Sequence, residues 1–342
     1  MPAIRHLWVD EVGAYVGRHQ GRLQVRKGRE VIQEAALMHL EQVFVSGRAI
    51  SLSAEAVAAC AGQGIPVYFI SYRGTPYASL YAAGLVGTVQ TRRAQLQAYL
   101  DARGVALGRA FAQAKITSQA TLLRYMAKYR QTQDADLYQE LRGLADEVAG
   151  HVDELRRLSG QTVDEVRSQL MGIEGRAAQK YWQGVKRVVA VGDDSWPGRR
   201  GRGARDPFNA ALNYAYGILY GQIERAIVLA GLDPYAGFVH ADRPGKPSLV
   251  LDLIEEFRVA AADRPVFAIF NRGSDIELDE RGLLTKTSRQ HVAEKVLERL
   301  DTDERYKGKK VPLRIVMQSQ ARHLATFVRG ERPEYQPFIP RW

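Results

Sequence analysis

The feature that most constrains the fold is a change in the spacing of apolar residues part-way along the chain. Up to about residue 84 the sequence holds short runs rich in Val, Tyr, Phe and Ile, among them HLWVDE, AYVG, LQV, VIQEAAL, VFVSG and PVYFIS, punctuated by Gly and Pro. Successive side chains of a strand face opposite ways, so runs of this length and composition predict strands joined by tight turns in an antiparallel β-unit. One helix is expected among them, SAEAVAACAGQG, with Ser53 as its cap and Gly64 as its end. From about residue 90 the spacing becomes helical, with long polar faces, as in QTRRAQLQAYLDARGVALGRAFAQAK and DADLYQELRGLADEVAGHVDELRRL. Strands first and helices afterwards predict an α+β chain, because a parallel α/β sheet would need the two to alternate. The expected boundaries are an N-terminal antiparallel β-domain over 1–84, a linker over 85–95 next to the punctuating Gly84 and Gly87, and a larger all-helical domain over 96–342. At 342 residues the chain also exceeds the size at which one core stops growing.

Within the helical part, Thr162 followed by Glu165 predicts a capping box. The segment GDDSWPGRRGRGARDP breaks the periodicity, and Asp206-Pro207 restarts a helix as cap and first residue. Lys and Arg number 48 against 38 Asp and Glu, a formal charge of +10 that favours a polyanionic partner through phosphate neutralisation. Cys60 is the only cysteine, which excludes an intramolecular disulfide and a cysteine-based zinc site and fits a reducing, cytoplasmic location. No window approaches eighteen uninterrupted apolar residues, so no membrane span is expected. Phosphate loops of the GxxxxGK type, GxSxG elbows and paired metalloprotease histidines are all absent from the sequence.

The candidate chemistry lies in three places. Glu174 has Gly172 and Gly175 beside it in a helical segment, which suggests a close backbone approach there; a solvated helix face is the plainer alternative. His240 ends the apolar run AGFV and precedes the turn ADRPGKP. Ser248 can then cap a helix that carries Asp252, Glu255 and Glu256 at i, i+3 and i+4. Carboxylates crowded in this way repel unless water or a cation neutralises them, and a hard divalent ion, Mn²⁺ or Mg²⁺, suits carboxylates with one imidazole. An exposed acidic face remains open as the other reading. Arg199, Arg200, Arg202 and Arg205 occupy a Gly-rich loop suited to wrapping on a phosphate backbone. Of Tyr214, Tyr216 and Tyr220 on the next helix, two are expected in the core or a groove wall, and Tyr220 is taken as a face for stacking on bases.

Four segments, GIEGRAAQKYW, RGARDPFNAALNYAYGILYG, GFVH and LDLIEEFR, resemble in order the spacer-acquisition integrase family, CRISPR-associated protein one. The resemblance extends over nearly the whole chain and implies a metal site of Glu174, His240 and Glu255. Asp252 is implied as a further ligand or a supporting carboxylate. Many family members carry an aspartate where Glu255 stands. Asn209 resembles the family's recurring asparagine near the cleft, with a structural or DNA-adjacent role. Glu256 is expected to be a solvated or Arg-paired surface carboxylate. The implied activity is metal-dependent DNA cleavage and integration of spacer DNA into a CRISPR array by attack of a 3′-hydroxyl on a phosphodiester. The implied partners are double-stranded DNA, a second copy of the chain and CRISPR-associated protein two. A non-specific repair nuclease would share the same residues, and a non-catalytic basic scaffold would need none of them.

Overall fold

The computed structural model describes residues 4–72, 74, 76–80, 89–189, 196–201 and 203–342. The chain divides into two compact units, Met1–Val86 and Gly87–Trp342. The expected boundary glycines Gly84 and Gly87 lie outside the described residues, and residues 89–95, expected as linker, already form helix.

The first unit contains β1 (His6–Val9), β2 (Tyr15–His19), β3 (Arg22–Lys27), β4 (Glu30–Ala36), β5 (Gln42–Val45), β6 (Ser51–Leu52), α1 (Ala54–Gly62), β7 (Val67–Ile70) and β8 (Pro76–Leu80). They form two four-stranded sheets, ordered β1-β5-β7-β8 and β4-β3-β2-β6. The β2–β3 hairpin turns on Gln20 and Gly21, both at positive φ (43° and 76°), the backbone a two-residue turn needs to match the strand twist. The sheets are not purely antiparallel: β1–β5, β5–β7 and β2–β6 pair in parallel. Parallel neighbours need a crossover rather than a tight turn, and α1 provides one between β5 and β7. Ser53 caps α1 as expected, accepting from the Ala56 N–H at 3.1 Å. Leu7, Val9, Val16, Leu23, Val25, Val43, Val45 and Val67 build the core of this unit.

The second unit holds α2 (Val89–Tyr99), α3 (Ala102–Lys128), α4 (Ala135–Arg157), α5 (Val163–Val188), α6 (Pro207–Leu229), α7 (Ser248–Leu253), α8 (Arg264–Asn271), α9 (Lys286–Asp301) and α10 (Leu313–Val328). It also carries a short hairpin, β9 (Asp303–Tyr306) with β10 (Lys309–Pro312), turning on Lys307 and Gly308 at positive φ. The expectation of an all-helical domain left this hairpin out. Side chains are buried along α3 on more than one face, from Leu107 and Phe111 to Leu122 and Leu123, which makes it a central helix. It packs against α4, α5 and the turns that follow α7.

Asp206 caps α6 by accepting from the Asn209 N–H at 2.8 Å, with Pro207 at the first helical position, as expected. The expected capping box at Thr162 does not form. Glu165 accepts from the Gln161 N–H at 3.0 Å, but the Thr162 hydroxyl donates to the Glu165 carboxylate at 3.1 Å and caps no backbone N–H. The segment after Ser248 is not one regular helix. α7 passes into a tight 3₁₀ turn at Ile254–Glu256 and a wide π turn at Val259–Asp263 before α8 begins.

Candidate active site

His240 sits on a loop held by side chains from three helices, α2, α5 and α7. Gln95 of α2 donates to the carbonyls of Asp233 and Ala236 and accepts from the Asp233 N–H. Arg167 of α5 donates to the carbonyls of Phe238 and Val239. Ser248 does not cap α7; its hydroxyl accepts from the Gly237 N–H at 2.9 Å and bonds to Asp242 and the Tyr235 carbonyl. A Cβ at Gly237 would lie 2.6 Å from the Ser248 carbonyl carbon, so the close approach of loop and helix needs glycine there.

Asp252 completes this hold. One carboxylate oxygen accepts from the N–H groups of Phe238 (2.6 Å) and Val239 (3.1 Å), the other from the His240 N–H (3.0 Å) and His240 Nδ1 (2.7 Å). Four donors occupy a fully buried carboxylate. Asp252 is therefore an orienting group for the imidazole. The bond turns Nδ1 towards Asp252 and leaves Nε2 on the far edge of the ring.

Glu174, on α5, and Glu255, in the 3₁₀ turn, meet at a residue the sequence reading did not single out, Lys115 of α3. The ammonium is hydrogen-bonded to Glu174 Oε1 and lies 3.1 Å from Glu255 Oε2. All three side chains are largely enclosed, with 15%, 17% and 5% of Lys115, Glu174 and Glu255 exposed. Arg258 grips both oxygens of Glu255, Nε to Oε2 at 3.2 Å and Nη2 to Oε1 at 3.0 Å. Burial alone would raise the Glu255 pKa, but Arg258, Lys115 and then His240 outweigh it and hold the carboxyl near 2. Burial likewise opposes the charge on Lys115, and Glu255 and Glu174 overcome it and raise its pKa. His240 is within electrostatic reach of Glu255. Even so, among the described residues no three His, Cys, Asp or Glu side chains close on a point at metal-ligand spacing. The donor set, two carboxylates that already share a cation and an imidazole oriented by a buried aspartate, fits a hard divalent ion in chemistry.

Several expectations need correction. A Cβ at Gly175 would meet nothing within 4 Å and one at Gly172 only the end of Arg176, so these glycines mark no close approach beside Glu174. Glu256 is no surface carboxylate; it is fully buried and accepts from the Tyr335 hydroxyl, Gln320 Nε2 (2.8 Å) and the Phe338 N–H (2.8 Å). Burial, only partly offset by those bonds, raises its pKa to about 7. Asn209 is also fully buried, and its amide is taken up by Arg199, the Arg200 N–H, the Gly198 carbonyl and Asp206, so it organises the arginine loop from inside. Arg199 is pinned by Asn209 and Asn213 and lies over the rings of Trp182 and Tyr216. Arg200 and Arg205 are exposed, and Arg202 lies outside the described residues. Tyr214 is in the core and Tyr220 is half-buried on α6. A cavity of about 230 Å³ between α8 and α9 is lined by none of the candidate site residues.

The architecture, a two-sheet unit followed by a helical unit, is shared with solved structures. A casposase bound to integration product superposes with a TM-score of 0.80 at 20% identity, covering 97% of this chain and 93% of that one. A Cas6-RT-Cas1–Cas2 complex gives 0.72 at 20% identity over 98% of this chain and 36% of that chain. The family model for CRISPR associated protein Cas1 matches residues 7–298, and the chain belongs to that family. CRISPR-associated endonuclease Cas1 1 of Archaeoglobus fulgidus is 33% identical over 98% of this chain and 99% of its own length.

Proposed function

We propose that the protein is a metal-dependent DNA endonuclease and integrase that inserts spacer DNA into a CRISPR array. The observation that carries this reading is the convergence of Glu174 and Glu255, from elements about 80 residues apart in the chain, on one cation beside an oriented imidazole. Glu174, Glu255 and Nε2 of His240 would hold Mn²⁺ or Mg²⁺, which when bound supplies charge for a phosphorane and its leaving oxygen and activates a hydroxyl nucleophile. With a DNA 3′-hydroxyl as nucleophile the reaction is strand transfer; with water it is hydrolysis. Asp252 keeps the imidazole in one orientation, and Arg258 fixes Glu255 through both of its oxygens. Double-stranded DNA as partner is supported by the family membership, the +10 charge and the exposed Arg200 and Arg205. A second copy of the chain and CRISPR-associated protein two are proposed as protein partners, the latter because the Cas6-RT-Cas1–Cas2 complex contains it.

The test is a strand-transfer assay on a plasmid that carries a repeat. Glu174→Ala and His240→Ala should each lose transfer and cleavage while staying folded, and a well-folded, fully active His240→Ala protein would remove the reading. Glu255→Gln should lower transfer and Mn²⁺ affinity together. Asp252→Asn puts an amide NH₂ against backbone N–H groups, so it should reduce transfer by roughly 10- to 100-fold and lower thermal stability as well.

A further inference from the structure

We propose that Lys115 is an exchange cation: its ammonium holds Glu174 and Glu255 in register and has to leave them for a divalent ion to bond both carboxylates. The inference rests on the metal site proposed above and concerns what that site does before and after loading.

The argument begins with the oxygens. Lys115 Nζ contacts Glu174 Oε1 and Glu255 Oε2, one oxygen from each carboxylate, and reaches them from a third helix. An ion bonded to both glutamates needs lone pairs on those same two side chains, so ammonium and metal compete for one position. The two cations around Glu255 differ in kind. Arg258 binds through a planar fork with two bonds, and its guanidinium is also stacked 4.5 Å from the Tyr216 ring centroid. A stacked, bidentate guanidinium is a fixed partner, whereas a lysine ammonium is a point charge on four rotatable carbons. Lys115 is the one built to move, and Glu255 keeps Arg258 when it does.

Charge balance agrees. Glu174 and Glu255 carry two negative charges, and Lys115 and Arg258 two positive ones, so the charges of these four side chains cancel. Replacing the lysine by a divalent ion makes the carboxylate pair more positive by one unit, and the released ammonium adds its own charge nearby, at a place where a phosphodiester anion would be received. The exchange would therefore couple metal loading to attraction for DNA phosphate.

The experiment uses the full chain and Mn²⁺ alone, with affinity measured by titration calorimetry and stability by thermal unfolding. Lys115→Met should bind Mn²⁺ about tenfold more tightly or better, because a competitor that occupies the site nine-tenths of the time weakens apparent affinity by that factor. It should also unfold at lower temperature without Mn²⁺ and gain more from adding it than the wild type does. Equal or weaker Mn²⁺ binding by a folded Lys115→Met protein overturns the exchange while leaving the metal reading intact, provided the wild type binds and Glu255→Gln does not. Absence of Mn²⁺ binding by the wild type overturns both. If Lys115→Met does not fold, reductive methylation of the wild type decides the matter by mass spectrometry. Lys115 should be labelled severalfold more with Mn²⁺ than without, and equal labelling overturns the exchange.

Discussion

At the scale of single residues, neighbouring glutamates divide sharply. Glu255 faces Arg258 and Lys115 and is held near pH 2, while Glu256 faces Tyr335, Gln320 and Phe338 with no cation bonded to it and is raised to about 7. Glu256 thus keeps its proton in the folded protein at pH values where an unfolded glutamate, near 4.5, has lost it. The folded state binds more protons across that window, so stability falls as pH rises from 4.5 towards 7 and levels off above, by up to about 1.4 kcal/mol per pH unit. Glu256→Gln should remove this slope, so the difference in unfolding free energy between variant and wild type should move in the variant's favour across the window. Parallel pH profiles in denaturant unfolding would contradict it. Glu256→Ala instead orphans three donors, at roughly 1–3 kcal/mol each, and should be strongly destabilising. None of this was legible in LDLIEEF, because the groups that enclose Glu256 lie more than sixty residues away in the chain. Lys115 had a faint signal, the one lysine of RAFAQAKITSQATLL, but its partner Glu174 is 59 residues distant and no spacing rule joins them.

At the scale of elements, local chemistry was readable and long-range pairing was not. The Ser53 and Asp206 caps depend on the three residues that follow each, and both form as the sequence implies. Strand partners are set by packing across the unit, which is why VFVSG and PVYFIS, expected in an antiparallel unit, pair in parallel through α1. The arginine loop divides in the same way. Arg199 is held by two asparagines and two rings and is a structural residue, whereas Arg200 and Arg205 project outwards. Neutralising the exposed pair as Arg200→Gln with Arg205→Gln should flatten the log–log salt dependence of duplex binding by up to about 2 if each meets a phosphate. Arg199→Gln should instead lower thermal stability. A salt slope unchanged by the double substitution would place the DNA path elsewhere.

At the scale of the whole molecule, every side chain that builds or orients the candidate site comes from the second unit: Gln95, Lys115, Arg167, Glu174, His240, Asp252, Glu255 and Arg258. A fragment from Val89 onwards should therefore bind Mn²⁺ with the affinity of the full chain, and loss of binding in a folded fragment would show that the first unit supports the site. The division also bears on tolerance to change. A break near residue 87 would leave every candidate site residue in one part, so insertions or substitutions in the front part would leave the candidate site's own framework intact.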